Sequence, residues 1–276
     1  MRTRRFGRLD VEIPAIGLGT WNIERDDRTQ AIAALRRGIE LGMTHVDTAE
    51  MYGNGRAEEI VAEALDSQRR RDRIFLVSKV LPQHAGAAAC RRACEASLRR
   101  LGTDHLDLYL LHWRGDTPLA KTIGAFEALR EAGKIRAWGV SNFDDADLDE
   151  VEAIAPGRVA CNQVLYHLLD RTIEHTVIPW CEQRGVAVVA YSPFGSSDGF
   201  PRADRFGDLP ERLGRTPRQL ALAYLTRRPS VLAIPKAARV AHVEELAGAD
   251  MELDSAAIAA IEARFPLAPW RGLPMI

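Results

Sequence analysis

The feature that most constrains this chain is a repeated alternation. From Gly17 onward, short apolar runs rich in β-branched residues are followed by longer segments with apolar residues at helical spacing. Eight of the short runs read as strands: AIGLG (15–19), HVDT (45–48), IFLVSK (74–79), LDLYLLH (106–112), IRAWGVS (135–141), VACNQ (159–163), VAVVAYS (186–192) and VLAIPK (231–236). The segments between them carry helix punctuation. DRTQAIAALRRGIELG opens on Asp and Thr as caps and stops at Gly42. RAEEIVAEAL has acids in its first turn, where the helix dipole favours them. AAACRRACEASLRRLG and PLAKTIGAFEALREAG end in basic residues and glycine. DDADLDEVEAI, EHTVIPWCEQRG, TPRQLALAYLTRRP and VAHVEELAG complete the set, and Pro179 requires its helix to kink or to start late.

Eight strand–helix repeats in 276 residues predict a (β/α)8 TIM barrel, with 1–276 as a single domain. Continuous apolar strands such as FLVSKV and LYLLHW fit a parallel sheet covered on both faces. A doubly wound open sheet usually carries a GxGxxG turn after its first strand. GLGTW lacks the third glycine, and no helix begins there. Ahead of the first strand, RRFGRLDVEIP reads as an N-terminal β-hairpin that turns at GRLD and closes the barrel bottom. After the eighth helix, LDSAAIAAIEARF reads as one extra C-terminal helix. PLAPWRGLPMI then reads as an irregular tail, about 265–276, near the substrate pocket.

Composition removes several function classes. A formal net charge of −1 gives no basic excess for a nucleic-acid surface. No apolar run approaches the ~20 residues of a membrane span. The basic N-terminus is interrupted by Asp10, Glu12 and Pro14, so it does not read as a signal peptide. Cys90, Cys94, Cys161 and Cys181 form no CxxC pair, which suggests neither a metal site nor disulfide staples and points to a reducing cytoplasm. Only four of the 37 basic residues are lysine: Lys79, Lys121, Lys134 and Lys236. A lysine kept in so arginine-rich a chain is a candidate for work that arginine cannot do, such as presenting a compact ammonium.

In this barrel class, reacting groups gather at the C-terminal ends of the strands. The second strand ends at Asp47, with Tyr52 in the following loop. The third ends at Lys79, and the fourth at His112 followed by Trp113. Later strands end at Ser141-Asn142, Asn162-Gln163, Tyr191-Ser192 and Lys236. Taken singly, Asp47 is an ordinary helix cap, Tyr52 a packed ring and His112 a satisfied core histidine. On three adjacent strands they make a working acid. A phenol titrates near 10, and a nearby ammonium lowers that value by roughly 1–3 units. A carboxylate fixes the ammonium, and the histidine orients a substrate oxygen. The chemistry is general acid catalysis at a carbonyl oxygen.

The carbonyl carbon then needs a hydride, which is cofactor chemistry. Ser141, Asn142 and Gln163 can hydrogen-bond a nicotinamide carboxamide, and Tyr191 offers a flat face to the ring. SPFGSSDG is a loop able to wrap a pyrophosphate. Lys236 and Arg239 can meet phosphate at the entry to the eighth helix.

Together the motifs DTAEMYGNG, VSKV, LLHW, GVSNF, NQV, YSPFG and IPKA resemble the aldo-keto reductase superfamily, in order and with fitting spacing from about Ile13 to Gly248. The short bacterial members, of the methylglyoxal or aldehyde reductase type, are the most similar. The resemblance implies NADPH-dependent reduction of aldehydes and some ketones, with NADH as a possible second cofactor. It places Asp47, Tyr52, Lys79 and His112 on a catalytic tetrad, with Tyr52 as proton donor. His112 rather than Glu implies carbonyl rather than carbon–carbon double-bond reduction. Ser141, Asn142 and Gln163 fall on carboxamide contacts, Tyr191 on the stacking aromatic, and Ser192, Phe194, Gly195 and Ser196 on the pyrophosphate loop. Gly19, Thr20, Ile234, Lys236, Arg239, His242 and Glu245 complete the implied cofactor set. Trp21 and Trp113, with Tyr52 and His112, are implied substrate contacts.

The chain departs from the family pattern at Ala237, where Ser is frequent, at His242, where an arginine commonly meets the adenosine 2′-phosphate, and at Leu246, where Asn is common near the adenine. The implied partner is a small carbonyl compound, and the implied state a cytoplasmic monomer. Two rival readings are a Schiff-base aldolase using Lys79 or Lys236, and a non-catalytic NADPH-sensing subunit.

Overall fold

The computed structural model describes residues 1–65, 68–195 and 199–276. It opens with an antiparallel hairpin of β1 (Thr3–Arg5) and β2 (Glu12–Pro14). Eight parallel strands follow: β3 (Leu18–Gly19), β4 (His45–Asp47), β5 (Phe75–Val80), β6 (Leu106–Leu111), β7 (Ile135–Ser141), β8 (Cys161–Leu165), β9 (Ala187–Tyr191) and β10 (Val231–Ala233). Each pairs with its sequence neighbour, and bridges Ile16↔Ala233 and Gly19↔Lys236 close the sheet into the expected barrel.

The barrel's first and last strands are shorter than the sequence runs. Gly17 and Gly19 donate instead to the carbonyls of Ala233 and Pro235 at 2.8 and 3.0 Å, so the closing seam is stitched by single bonds. At Gly19 the backbones approach so closely that a Cβ would lie 2.4 Å from the Ile234 oxygen. Only glycine fits that seam.

Helices alternate with the strands. They are α1 (Arg28–Glu40), α2 (Arg56–Leu65), α3 (Gln68–Arg71), α4 (Ala87–Leu101), α5 (Leu119–Glu131), α6 (Asp145–Ile154), α7 (Val177–Arg184), α8 (Leu209–Leu213), α9 (Pro217–Leu225), α10 (Val240–Ala247) and α11 (Ser255–Arg264). Asp27 caps α1 through the Gln30 N–H, and Thr216 forms a full capping box with Gln219 at α9. Helix α7 starts late, which leaves Pro179 in its first turn, where the missing N–H costs nothing. Helix α11 is the extra C-terminal helix. The short helices α3 and α8 fall where the sequence pattern predicted none.

Period-two alternation sorts the strand side chains into two cores. Leu76, Val80, Tyr109, Leu111, Trp138 and Val140 face the helices. Phe75, Val77, Leu108, Leu110, Ala137, Cys161, Ala187, Val189 and Leu232 fill the barrel. Phe6, fully buried, plugs the floor: its ring lies 5.0 Å from Phe75 and 6.1 Å from His45. The hairpin therefore closes the bottom, as its sequence implied. The tail returns to the barrel. Arg171 and His175 hold the carbonyls of Phe265 and Ala268, Trp270 packs on the core, and Met275 and Ile276 reach the main cavity. No helix among the described residues is long and apolar enough to cross a membrane.

Candidate active site

The same alternation that puts Phe75 and Val77 inside the barrel puts Lys79 there, one layer higher. On β4 it does the same for Asp47, two residues beyond His45. His112 follows the inward pair Leu108 and Leu110. The top layer of the barrel is therefore polar over an apolar column. Tyr52 comes from a 3₁₀ turn, Tyr52–Gly55, in which Gly53 and Asn54 take left-handed angles (φ 56 and 55). Glycine and asparagine are the residues that accept that geometry. A Cβ on Gly53 would meet the Glu24 side chain at 2.4 Å, so the turn needs glycine for space as well.

The four side chains converge. Lys79 Nζ donates to Asp47 Oδ1 at 2.5 Å, to the Thr48 carbonyl at 2.9 Å and to Tyr52 Oη at 3.2 Å. The Tyr52 and His112 rings meet edge to face at 5.6 Å, and Trp113 lies 4.9 Å beyond His112. Thr20 donates to the Asp47 carbonyl, and Gln163 Nε2 donates to Asp47 Oδ2 at 2.8 Å. The carboxylate is thus held through both oxygens.

Burial sets the protonation states. It would by itself lower the Lys79 pKa, but the Asp47 carboxylate and the Tyr52 oxygen more than offset it, and the ammonium is held above its usual range. Burial likewise raises Tyr52 above the ordinary phenol value, against the pull of Lys79. This corrects the expectation of a lowered phenol: in a site this dry, desolvation of the phenolate outweighs one ammonium that is already paired. Burial, then Lys79, pushes His112 down to about 3, so its ring is neutral at physiological pH. Its Nδ1 is buried with no partner among the described residues, which leaves Nε2 to serve the cavity.

The expected cofactor and substrate residues divide three ways. One cavity is lined by Gly19, Thr20, Trp21, Asp47, Tyr52, His112, Trp113, Ser141, Asn142, Gln163, Tyr191, Ser192, Ile234 and Lys236. Phe194, Gly195, Arg239, His242 and Glu245 are not on its wall. Phe194 packs edge to face on Phe200 at 5.5 Å, and Gly195 closes a turn onto the Ser192 carbonyl. Arg239 precedes α10 as its N-cap, His242 is exposed on that helix, and Glu245 accepts from Thr216 at 2.7 Å. Ser196 lies outside the described residues.

Sequence reading put the tail near the pocket without naming the residues that reach it, Met275 and Ile276, and it passed over Met51, which stands on the cavity wall beside Tyr52. It also missed the ion pair between Lys236 and Asp26, whose partners lie 210 residues apart. No cluster of metal-ligating side chains occurs among the described residues.

The wall of strands β7 to β9 is tied together in advance. Asn142, left-handed at φ 61, donates to the His112 carbonyl at 3.1 Å and to Ser141 Oγ at 3.2 Å, and accepts from Tyr191 Oη at 2.7 Å. Ser141 Oγ donates to the Gln163 carbonyl at 2.8 Å. A flat ring face and several amide and hydroxyl groups sit beside an ammonium-supported phenol, and this donor and acceptor set fits a nicotinamide ring.

The model of the aldo/keto reductase family matches residues 15–264. The chain is 46% identical over 265 residues to methylglyoxal reductase YeaE of Escherichia coli (strain K12), covering 93% of each chain. It is 34% identical over 263 residues to human aldo-keto reductase family 1 member A1, covering 82% of this chain and 77% of that one. Among solved structures, an aldo/keto reductase from Klebsiella pneumoniae in complex with NADP and acetate superposes with a TM-score of 0.91 at 46% identity, over 99% of each chain. An aldo-keto reductase from the same organism in complex with NADPH gives the same TM-score and identity.

Proposed function

The chain belongs to the aldo/keto reductase family and is an NADPH-dependent carbonyl reductase, and we propose that Tyr52 is its proton donor and small aldehydes or dicarbonyls its substrates. NADPH, when bound, supplies the hydride to the carbonyl carbon. The observation that carries the assignment is the Lys79 ammonium, fixed by Asp47 and Thr48 and donating to Tyr52 Oη at 3.2 Å.

Each residue then has a task that follows from its surroundings. Burial keeps Tyr52 protonated, so the acid is present in full at neutral pH. Lys79 lies where it stabilises the phenolate left when that proton passes to the carbonyl oxygen. Asp47, gripped by Lys79 and Gln163, keeps the ammonium charged and in place. Neutral His112 offers Nε2 to the same oxygen without competing as an acid. Ser141, Asn142, Gln163 and Tyr191 would hold the nicotinamide end, and Lys236 and Arg239 the phosphate end.

Trp21, Met51 and Trp113 make the substrate side apolar and restricted, which supports a small substrate. The 46% identity to a methylglyoxal reductase supports a dicarbonyl. The chain also reads as a cytoplasmic monomer; four free, buried cysteines support a reducing compartment.

The aldolase reading needs a neutral amine. Lys79 donates to three acceptors and is held charged, and Lys236 is paired with Asp26. The complete tetrad removes the reason for a purely sensory subunit. The decisive experiment is Tyr52→Phe, assayed with NADPH and methylglyoxal. Turnover should fall about 10²- to 10⁴-fold, the usual range for losing a general acid, while NADPH still binds. Turnover within a factor of two of wild type would remove Tyr52 from the chemistry.

A further inference from the structure

Lys236 reaches the cavity rim already partnered. Its ammonium forms an ion pair with the Asp26 carboxylate. Asp26 ends the 3₁₀ turn Ile23–Arg25 and stands directly before Asp27, the cap of α1. Lys236 bridges the barrel seam opposite Gly19. The pair therefore ties the loop after the first barrel strand to the segment after the last, across the edge of the cavity that Lys236 lines. Both side chains are about one-third exposed, 33% and 34%, so the pair is open to an incoming ligand.

The other cation at this end is bare. Arg239 is exposed, gives no side-chain cap to α10, and forms no ion pair among the described residues. The two positive groups available to a phosphate are thus unequal: one is free, and the other carries a carboxylate of its own.

We propose that Asp26 sets the preference between NADPH and NADH by competing with the 2′-phosphate for Lys236. This rests on the NADPH-dependent reading above and deepens it. A phosphate monoester brings about −1.5 to −2 charges at neutral pH. Placed on Lys236 it must displace Asp26 or lie beside it as a second anion. A ribose with a free 2′-hydroxyl meets the opposite situation, because that hydroxyl can donate to the carboxylate. Asp26 penalises the phosphorylated dinucleotide and tolerates the other. The residue thereby limits the selectivity that Lys236 and Arg239 would otherwise confer.

The test is Asp26→Asn in the full chain, titrated by fluorescence with NADPH and NADH. Calorimetry with 2′,5′-ADP and 5′-ADP isolates the phosphate end from the nicotinamide. The substitution should tighten NADPH and 2′,5′-ADP by about two- to fivefold, the scale of one partly exposed charge pair. NADH and 5′-ADP should stay unchanged or weaken. In a Lys236→Met background the same substitution should leave the NADPH-to-NADH ratio unmoved. Equal weakening of all four ligands would overturn the proposal and make Asp26 a loop brace. A ratio that still shifts without Lys236 would overturn it too. Failure of the wild-type protein to bind either dinucleotide would overturn the reductase reading itself, along with the proposal; a mere change of ratio would not touch that reading.

Discussion

Lys79→Met keeps the length of the side chain and removes its charge. In the wild-type protein the ammonium is wholly buried and donates to Asp47, Thr48 and Tyr52. Without it, the Asp47 carboxylate, 1% exposed, keeps Gln163 Nε2 as its side-chain donor but loses its counter-charge. Removing one partner of a buried ion pair costs about 3–5 kcal/mol, whereas removing both charges is often close to neutral. Lys79→Met should therefore lower the unfolding free energy by about 3–5 kcal/mol, and Asp47→Asn/Lys79→Met should recover most of that loss. Urea unfolding followed by far-UV circular dichroism, extrapolated linearly, measures both. Activity should behave differently. The double variant should be as slow as the single one, because nothing replaces the ammonium beside Tyr52 Oη. A single variant as stable as wild type, or a double variant no more stable than the single, would refute the view that Asp47 and Lys79 are a charged pair held in a dry site.

Two further outcomes follow from the barrel interior. Burial pushes His45 down to about 4 and His112 to about 3, so the unfolded chain takes up protons below about pH 6.5 that the folded chain refuses. Stability should fall as pH drops from 6.5 toward 4, by about 1.4 kcal/mol per pH unit for each histidine, and His45→Leu should remove about half of that slope in urea titrations. Phe6→Ala should cost about 3–5 kcal/mol, because the ring is fully buried between His45 and Phe75 and the floor cannot collapse around its loss; an unchanged unfolding midpoint would show that the hairpin is not part of the barrel core.

What the sequence made legible follows from how local each signal is. The runs at 74–79, 106–112 and 135–141 correspond to β5, β6 and β7 almost residue for residue, since both faces of these strands are buried apart from Arg136 on β7. The seam strands β3 and β10 came out shorter, because their pairing depends on where the barrel closes and not on their own composition. Helix α8 escaped notice because Pro210 reads as a breaker, although proline is tolerated in a first turn. Asp47, Lys79 and His112 could be found from strand ends alone. Tyr52 could be suspected from the GNG that follows Met51-Tyr52, which is the composition of a left-handed turn. The direction of its pKa could not, since that turns on how dry the finished site is. Asp26 left no signal at all: its partner is remote, and its own neighbourhood reads as the start of a helix.

The finished site also changes what the cofactor wall offers. Ser141, Asn142 and Gln163 suggested donors and acceptors alike when read as a list. In the fold most of their donors are spent: Ser141 Oγ on the Gln163 carbonyl, Asn142 Nδ2 on His112 and Ser141, and one of the two Gln163 Nε2 hydrogens on Asp47. What this wall presents to the cavity is chiefly oxygen lone pairs, which suit the NH₂ of a carboxamide better than its carbonyl. Spending the donors has a structural return. The bond from Gln163 to Asp47 crosses the barrel and joins the wall that would hold the nicotinamide to the pair that steadies Tyr52. A group that would orient the ring and a group that would fix the proposed acid are then parts of one hydrogen-bonded unit. Hydride and proton must arrive on adjacent atoms of one carbonyl, so a rigid link between their two supports places both with the same reference frame.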